Sequence, residues 1–359
     1  MKFTAQQADL APLLKRAAEV AKPSAQTPML GMVHLSADEH GLRVEATDLE
    51  TSIAGTIQAE GVTRGTFCLP AKEFAAVVAR LPRGPVAVKT DTSKATVTAE
   101  QTRTKFSLTG FDADAFPTLP KPDGIDMVEV PGSMLRDLLD RAGYAASKDE
   151  SRPALCSVYV GPQHAIATDG HRAAFLPGLE VVTSAPILIP AEGLRELARV
   201  AADFDRVSVG TDGTWFVLQA QRMTVSVRLE GTAYPNAEQV ITSASQTAWT
   251  ASFDRAGLLD ALGRAKNMGV DVGMSLAFGV GEVVLTASNP EFGSYTETLD
   301  AEVTGEPPRI GANRLYLEAS IKAAQGERVT IGGRGEMDAF VITNPADMAQ
   351  HIVMPMRLS

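Results

Sequence analysis

Cysteine is nearly absent from this chain of 359 residues, and its scarcity excludes several chemistries. Cys68 and Cys156 stand far apart in no metal-ligand spacing, so neither a disulfide framework nor a thiolate metal cage is available, and inert reduced thiols are expected. The five histidines, at 34, 40, 164, 171 and 351, lack the spacing of a metal-binding helix. No metal or cofactor is expected. No apolar run approaches the roughly 18 to 20 residues of a membrane-spanning helix. The polar, acidic start M-K-F-T-A-Q-Q-A-D-L also lacks the apolar segment of a secretory leader, so a cytoplasmic protein is expected. Positive charge is in deficit as well: 33 Lys and Arg against 43 Asp and Glu give a net charge of −10, which disfavours nucleic acid on average. That average leaves room for a basic lining inside an acidic exterior.

Signatures of catalysis and of phosphate binding are missing too. There is no G-x-S-x-G, and G-V-G-E (279–282) and G-G-R-G-E (332–336) match neither a P-loop nor G-x-G-x-x-G and read as hairpin turns.

What the chain does have is an internal repeat. F-C-L-P-A-K-E-F-A-A-V-V-A-R-L from Phe67, I-L-I-P-A-E-G-L-R-E-L-A-R-V from Ile187 and P-R-I-G-A-N-R-L-Y-L-E-A-S-I-K-A from Pro308 each read as a short strand, a break and an amphipathic helix. Pro70, Pro190 and Gly311 lie 120 and 121 residues apart. A second marker agrees: L-L-K-R-A, L-L-D-R-A and A-L-G-R-A end at Ala17, Ala142 and Ala265, spaced by 125 and 123. Within a period the pattern is strand, helix and several strands, twice over, which predicts helices over 7–20 and 71–81 in the first. The fold class is α+β, with each domain built from two βαβββ-like halves. Pro-rich 116–124 and the stretch Y-P-N-A-E-Q (234–239) read as linkers, giving domains 1–121, 122–243 and 244–359. Six such helices per chain carry basic residues, among them Lys15, Lys72, Arg80, Arg141, Arg199 and Lys266, but acidic residues share the same helices. Ordinary solvated faces and a basic lining are equally open on composition.

One stretch, A-T-D-G-H-R-A-A (167–174), invites a catalytic reading, because Asp169 could orient His171 as a base. No nucleophile with a signature of its own accompanies the pair. The structural alternative is a hairpin whose turn is Asp169-Gly170, with His171 and Arg172 opening the next strand, as T-D-L-E (47–50) does one repeat earlier.

M-K-F-T at the start, P-M-L-G (28–31), T-D-L-E (47–50), K-F-S-L (105–108), A-T-D-G-H-R (167–172) and V-M-P-M-R-L (353–358) together resemble the bacterial β sliding clamp family over the whole chain. The resemblance implies a head-to-tail homodimer, a ring of six domains that encircles duplex DNA without sequence preference and tethers the replicative polymerase. The polymerase III alpha subunit, the clamp loader and repair proteins would dock through short peptides with apolar anchors. The family's peptide pocket falls on Leu155, Thr168, Gly170, His171, Arg172, Ala173, Pro235, Gln239, Val240, Ile352, Met354, Pro355, Met356, Arg357 and Leu358. Its dimer contact falls on Phe106, Leu108, Asn267 and Met268, and its DNA-facing side on Lys22 with the helix cations named above. Such a protein is a processivity subunit and not an enzyme.

The sequence departs from the family pattern in places. Asn267 stands where an aliphatic residue is usual, Ala173 where Leu is common, Gln239 where Arg is frequent, Ala339 where a small polar residue is frequent, and Ser24 where an Arg lies near DNA. A divergent housekeeping clamp and a specialised second copy both fit these changes. Two readings from other classes stand beside the clamp: a hydrolase using Asp169 and His171, and a monomeric peptide-binding module.

Overall fold

The computed structural model describes residues 1–178, 183–269 and 272–357. The chain forms two compact units, Met1–Gly132 with Glu196–Leu229, and Ser133–Arg195 with Glu230–Ser359. Its helices are α1 (Gln7–Val20), α2 (Ala71–Ala79), α3 (Gly132–Arg141), α4 (Ala191–Ala201), α5 (Glu238–Ala244), α6 (Arg255–Ala265) and α7 (Arg314–Ala323). Six of them fall where the repeat places them, α2 ending two residues short of the expected Leu81. The short α5 is a correction, since it begins inside the stretch read as a linker. Its cause is visible in the spacing of Ala237, Ile241 and Ala244, which puts three apolar groups on one helical face.

In the first unit α1 buries Leu10, Leu13, Leu14 and Ala17, the i, i+3, i+4, i+7 stripe of an amphipathic helix. A Cβ on Gly55 would come within 2.4 Å of Leu13 Cδ1, so the bare strand lets α1 sit close to the sheet. Strand Met32–Asp38 alternates, turning Val33, Leu35 and Ala37 inward. The sheet has eight antiparallel strands, in which Met223–Arg228 pairs Thr51–Ile57 with Val225 opposite Ile53. Strands from two sequence repeats therefore share one sheet. A second sheet of five strands ends at an edge formed by Thr104–Thr109.

In the second unit a nine-stranded sheet joins two repeats in the same manner, Arg172–Pro177 pairing Gln350–Val353. Trp249, Phe253, Leu262, Leu317, Ile331 and Phe340 fill the main core. Two helices of this unit are capped as their sequences demand: Asp254 Oδ2 accepts from Gly257 N at 2.6 Å at the head of α6, and Asn313 Oδ1 accepts from Leu315 N at 2.8 Å at the head of α7. A smaller apolar cluster of Ile166, Ala173, Ile241, Ala244, Val341 and Ile352 lies between α5 and the sheet. The Ser245 hydroxyl, 2.7 Å from Ile241 O and 2.6 Å from Gln350 Oε1, ties the end of α5 to the sheet strand.

Candidate functional site

The T-D-x turns are one structural device used three times. Asp169 Oδ1 accepts from His171 N (2.9 Å) and Arg172 N (3.0 Å), and Thr168 Oγ1 accepts from Gly170 N (3.1 Å) while donating to Arg172 O (2.7 Å). Asp48 and Thr47 make the same set: Asp48 Oδ1 accepts from Glu50 N at 3.1 Å and Thr51 N at 2.7 Å, and Thr47 Oγ1 donates to Thr51 O at 2.9 Å. In T-D-G-T-W, Asp212 Oδ1 accepts from Thr214 N at 2.8 Å and Trp215 N at 2.7 Å. The middle residue is left-handed each time, Gly170 at φ 90°, Gly213 at 85° and, more strained, Leu49 at 77°. Asp169 is thus a turn cap. Its other oxygen, Oδ2, accepts from Arg172 Nε at 2.9 Å, so the carboxylate is engaged by backbone and guanidinium rather than by an imidazole. Asp48 and Asp212 hold the same position with no histidine beside them, which removes the ground for a catalytic pair. Replacing Asp169 by Ala is expected to cost about 2 kcal/mol, more than Asp212→Ala, because Asp169 adds the ion pair with Arg172 to the backbone bonds that both aspartates make. Urea unfolding of the two variants measures the difference.

Beside this turn the second unit has a cleft of about 640 Å³. Ten of the expected residues line it: Leu155, Thr168, Gly170, Arg172, Ala173, Pro235, Gln239, Val240, Ile352 and Met354. Ala173 and Ile352 are opposite partners on neighbouring strands and supply an aliphatic floor. Met354 and Met337 stand at the exposed margin. Residues that sequence reasoning missed come from α5 and from the turn after strand Arg328–Gly333: Ser243, Ala244, Arg334, Met337 and Asp338. Arg334 Nη2 donates to Ser243 Oγ at 3.0 Å, linking those two walls. The helical spacing of 237, 241 and 244 was the signal available for the first of them.

Arg172 forms a rigid side of the cleft. Its guanidinium carbon lies 4.8 Å from the centre of the Tyr316 ring and 5.3 Å from that of Tyr144. Tyr144 Oη donates to Ser320 Oγ at 3.2 Å and lies 3.0 Å from His351 Nδ1, so a neutral His351 protonated at Nδ1 satisfies both bonds. Burial pushes the Tyr144 hydroxyl far above its ordinary range. Burial, with the Arg141 charge as a second cause, holds His351 down at about 4.

Several expected residues lie elsewhere. His171 belongs to the turn and does not open the strand; its ring stacks on Tyr316 with centroids 6.1 Å apart and does not line the cleft. Pro355, Met356 and Arg357 leave the cleft, because Met356 N donates to Gly311 O at 2.9 Å and draws the tail along another strand. Leu358 lies outside the described residues. Cys156 is half-buried at the end of a short 3₁₀ turn, and burial raises its thiol above the ordinary value. Cys68 is fully buried and pushed up to about 12, as an inert thiol should be.

Phe106 (38% exposed) and Leu108 sit on the unpaired edge strand Thr104–Thr109 of the first unit. Asn267 is exposed and Met268 half-buried against the second unit's core, in the turn that follows α6. Lys15, Lys72, Arg80 and Lys266 are exposed. Lys22 faces Asp48 at 3.3 Å, Arg199 Nη1 bonds Glu19 (2.8 Å) and Glu196 (2.9 Å), and half-buried Arg141 is paired with Asp347, so the last two spend their charge within the chain.

Residues 1–120 match the family described as DNA polymerase III beta subunit, N-terminal domain, and residues 232–357 match the corresponding C-terminal domain. A beta sliding clamp of Synechocystis sp. is 30% identical over the full length of both chains. That of Bacillus subtilis is 25% identical, covering 99% of this chain and all of its own. Among solved structures, the Bacillus subtilis sliding clamp superposes with a TM-score of 0.92 at 23% identity, each chain wholly covered. The Pseudomonas aeruginosa sliding clamp bound to griselimycin superposes at 0.90 with 25% identity, again over both full chains.

Proposed function

Because the chain belongs to the bacterial β sliding clamp family, we propose that the second-unit cleft receives the short apolar-anchored peptides by which DNA polymerase III and its accessory proteins hold the clamp. The protein is a DNA sliding clamp: a non-catalytic subunit that closes as a dimeric ring around duplex DNA and gives the polymerase its processivity. The observation that carries the site assignment is the coincidence of an aliphatic-floored cleft with ten residues placed there by family position. An apolar floor rimmed by a few fixed polar groups is what an anchored peptide requires. Met354 and Met337 at the margin supply deformable contacts for partners of differing shape.

Three domains, 1–121, 122–243 and 244–359, are the organisation we infer for the ring. Support comes from the period near 120 and from the two family matches, which leave a central stretch of similar length between them. The dimer contact is assigned to the edge strand bearing Phe106 and Leu108 and to the region of Asn267 and Met268. An unpaired edge with an exposed aromatic is a ready pairing surface, and a closed ring removes both such edges. Exposed Lys15, Lys72, Arg80 and Lys266 are the side chains best able to meet phosphates, in contacts that carry no sequence information and weaken with salt. The place of action is the cytoplasm; among the described residues no helix is long and apolar enough to cross a membrane.

Sedimentation at micromolar concentration tests the pairing. Two chains of 38.0 kDa should travel as one species of 76.0 kDa, and Phe106→Arg should release the monomer by placing a charge at the seam. A wild-type chain that stays at the monomer mass would contradict the ring and favour a monomeric peptide-binding module.

A further inference from the structure

Exposed methionine is confined to one part of this chain. Of its twelve methionines, Met274 is buried, four are exposed and the rest are half-buried. The exposed four, Met337, Met348, Met354 and Met356, all follow residue 336. Two of them line the second-unit cleft, Met337 at 53% exposure and Met354 at 40%. Met354 follows strand Gln350–Val353 and is fixed by its backbone, its N donating to His171 O at 2.8 Å, while Met337 lies in the turn after strand Arg328–Gly333. Met348, 78% exposed, and Met356 lie off the cleft.

A peroxide oxidises a thioether without prior ionisation, so exposure chiefly sets the rate, whereas a thiol must first become a thiolate. Neither cysteine is suited to that: burial raises the Cys156 thiol above its ordinary value and pushes Cys68 up to about 12. Met337 and Met354 are therefore the oxidisable sulfurs at the cleft. With hydrogen peroxide, the sulfur lone pair takes one oxygen and the O–O bond breaks as the S–O bond forms. Sulfur loses two electrons, and the departing hydroxide collects the proton of the transferred oxygen to leave as water. The sulfoxide puts a strong hydrogen-bond acceptor where the thioether gave an apolar, deformable contact. Water satisfies that oxygen in the open cleft; an apolar anchor that covers it removes the water and offers no donor in return.

We propose that Met337 and Met354 form a peroxide modification site that switches peptide docking off, and that enzymatic reduction of the sulfoxides switches it on again. The inference rests on reading the second-unit cleft as a peptide site. It adds a chemical control to that site, carried by the same side chains that give it an adaptable margin.

Fluorescence anisotropy of the full-length protein with labelled acetyl-Leu-Ala-Leu-Phe-amide, before and after hydrogen peroxide, tests the proposal, and peptide mass spectrometry locates each added oxygen. Oxidation at Met337 and Met354 should lower wild-type affinity about ten-fold. Methionine sulfoxide reductases A and B with a dithiol should restore it, the oxygen leaving as water and the dithiol closing to a disulfide. Saturating peptide should protect both residues while Met348 goes on reacting. Peroxide should leave the affinity of the Met337→Leu, Met354→Leu double variant at that variant's own starting value, and Met348→Leu should lose affinity as the wild type does. Affinity unchanged once both positions are oxidised, no protection by the peptide, or an equal loss in the double variant would each overturn the proposal. An unoxidised wild type that fails to bind the peptide would overturn the cleft reading, and the proposal with it.

Discussion

Val240→Arg is expected to weaken apolar-peptide binding by about 100-fold, near 3 kcal/mol, while shifting the stability of the free protein by less than about 0.5 kcal/mol. Val240 is 46% exposed on α5 and faces the cleft whose floor is Ala173 and Ile352. A guanidinium there either occupies the anchor's space or must be stripped of water when the anchor enters, and both outcomes oppose binding. Little changes in the free state, because the new side chain can extend into solvent. Calorimetry with the apolar peptide reads the effect directly. Unchanged affinity would mean that the peptide does not use this cleft.

A loss of about 3 kcal/mol of stability on acidification is the second expected result, and it traces to His351. This side chain is 0% exposed, its Nδ1 is occupied by Tyr144, and its Nε2 has no hydrogen-bond partner among the described residues. Burial, reinforced by Arg141 and only partly opposed by Asp347, lowers it from 6.5 to about 4. The folded state therefore prefers the neutral ring, and the unfolded chain takes up the proton first. The stability this provides is complete above pH 6.5, declines as pH falls from there towards 4, and is gone below the folded value. A separation of about 2.5 pH units corresponds to about 3 kcal/mol. Urea unfolding at pH 7 and pH 4 should show a flatter acid limb for His351→Gln than for wild type, the contributions of all other groups cancelling in the comparison. Identical limbs would show that His351 titrates normally. Because His351 is followed by Ile352 of the cleft floor, the same protonation should loosen peptide binding at acid pH.

The repeat was legible because each helix needs its own apolar stripe, and Leu10, Leu13, Leu14 and Ala17 display one without help from elsewhere. The pairing of Met223–Arg228 with Thr51–Ile57 was not, since strand alternation shows which face is inward and says nothing of which distant strand lies alongside. At the cleft, the T-D-G-H-R turn was readable as a turn from Asp169 and Gly170. The wall formed by Arg334 and Met337 was hidden, because a hairpin's tip is positioned by the sheet behind it and not by its own residues. His171 shows the same limit at the scale of one position: a turn one residue longer than expected takes it out of the strand and stacks it on Tyr316.

Retention on DNA tests the central claim most directly. Loaded by a bacterial clamp loader onto a nicked circular duplex, the wild-type protein should remain bound through gel filtration in high salt and be released when the circle is cut, because a closed ring slides off an end. Phe106→Arg should never be retained. Wild-type protein that washes off circular and linear DNA alike would contradict the account.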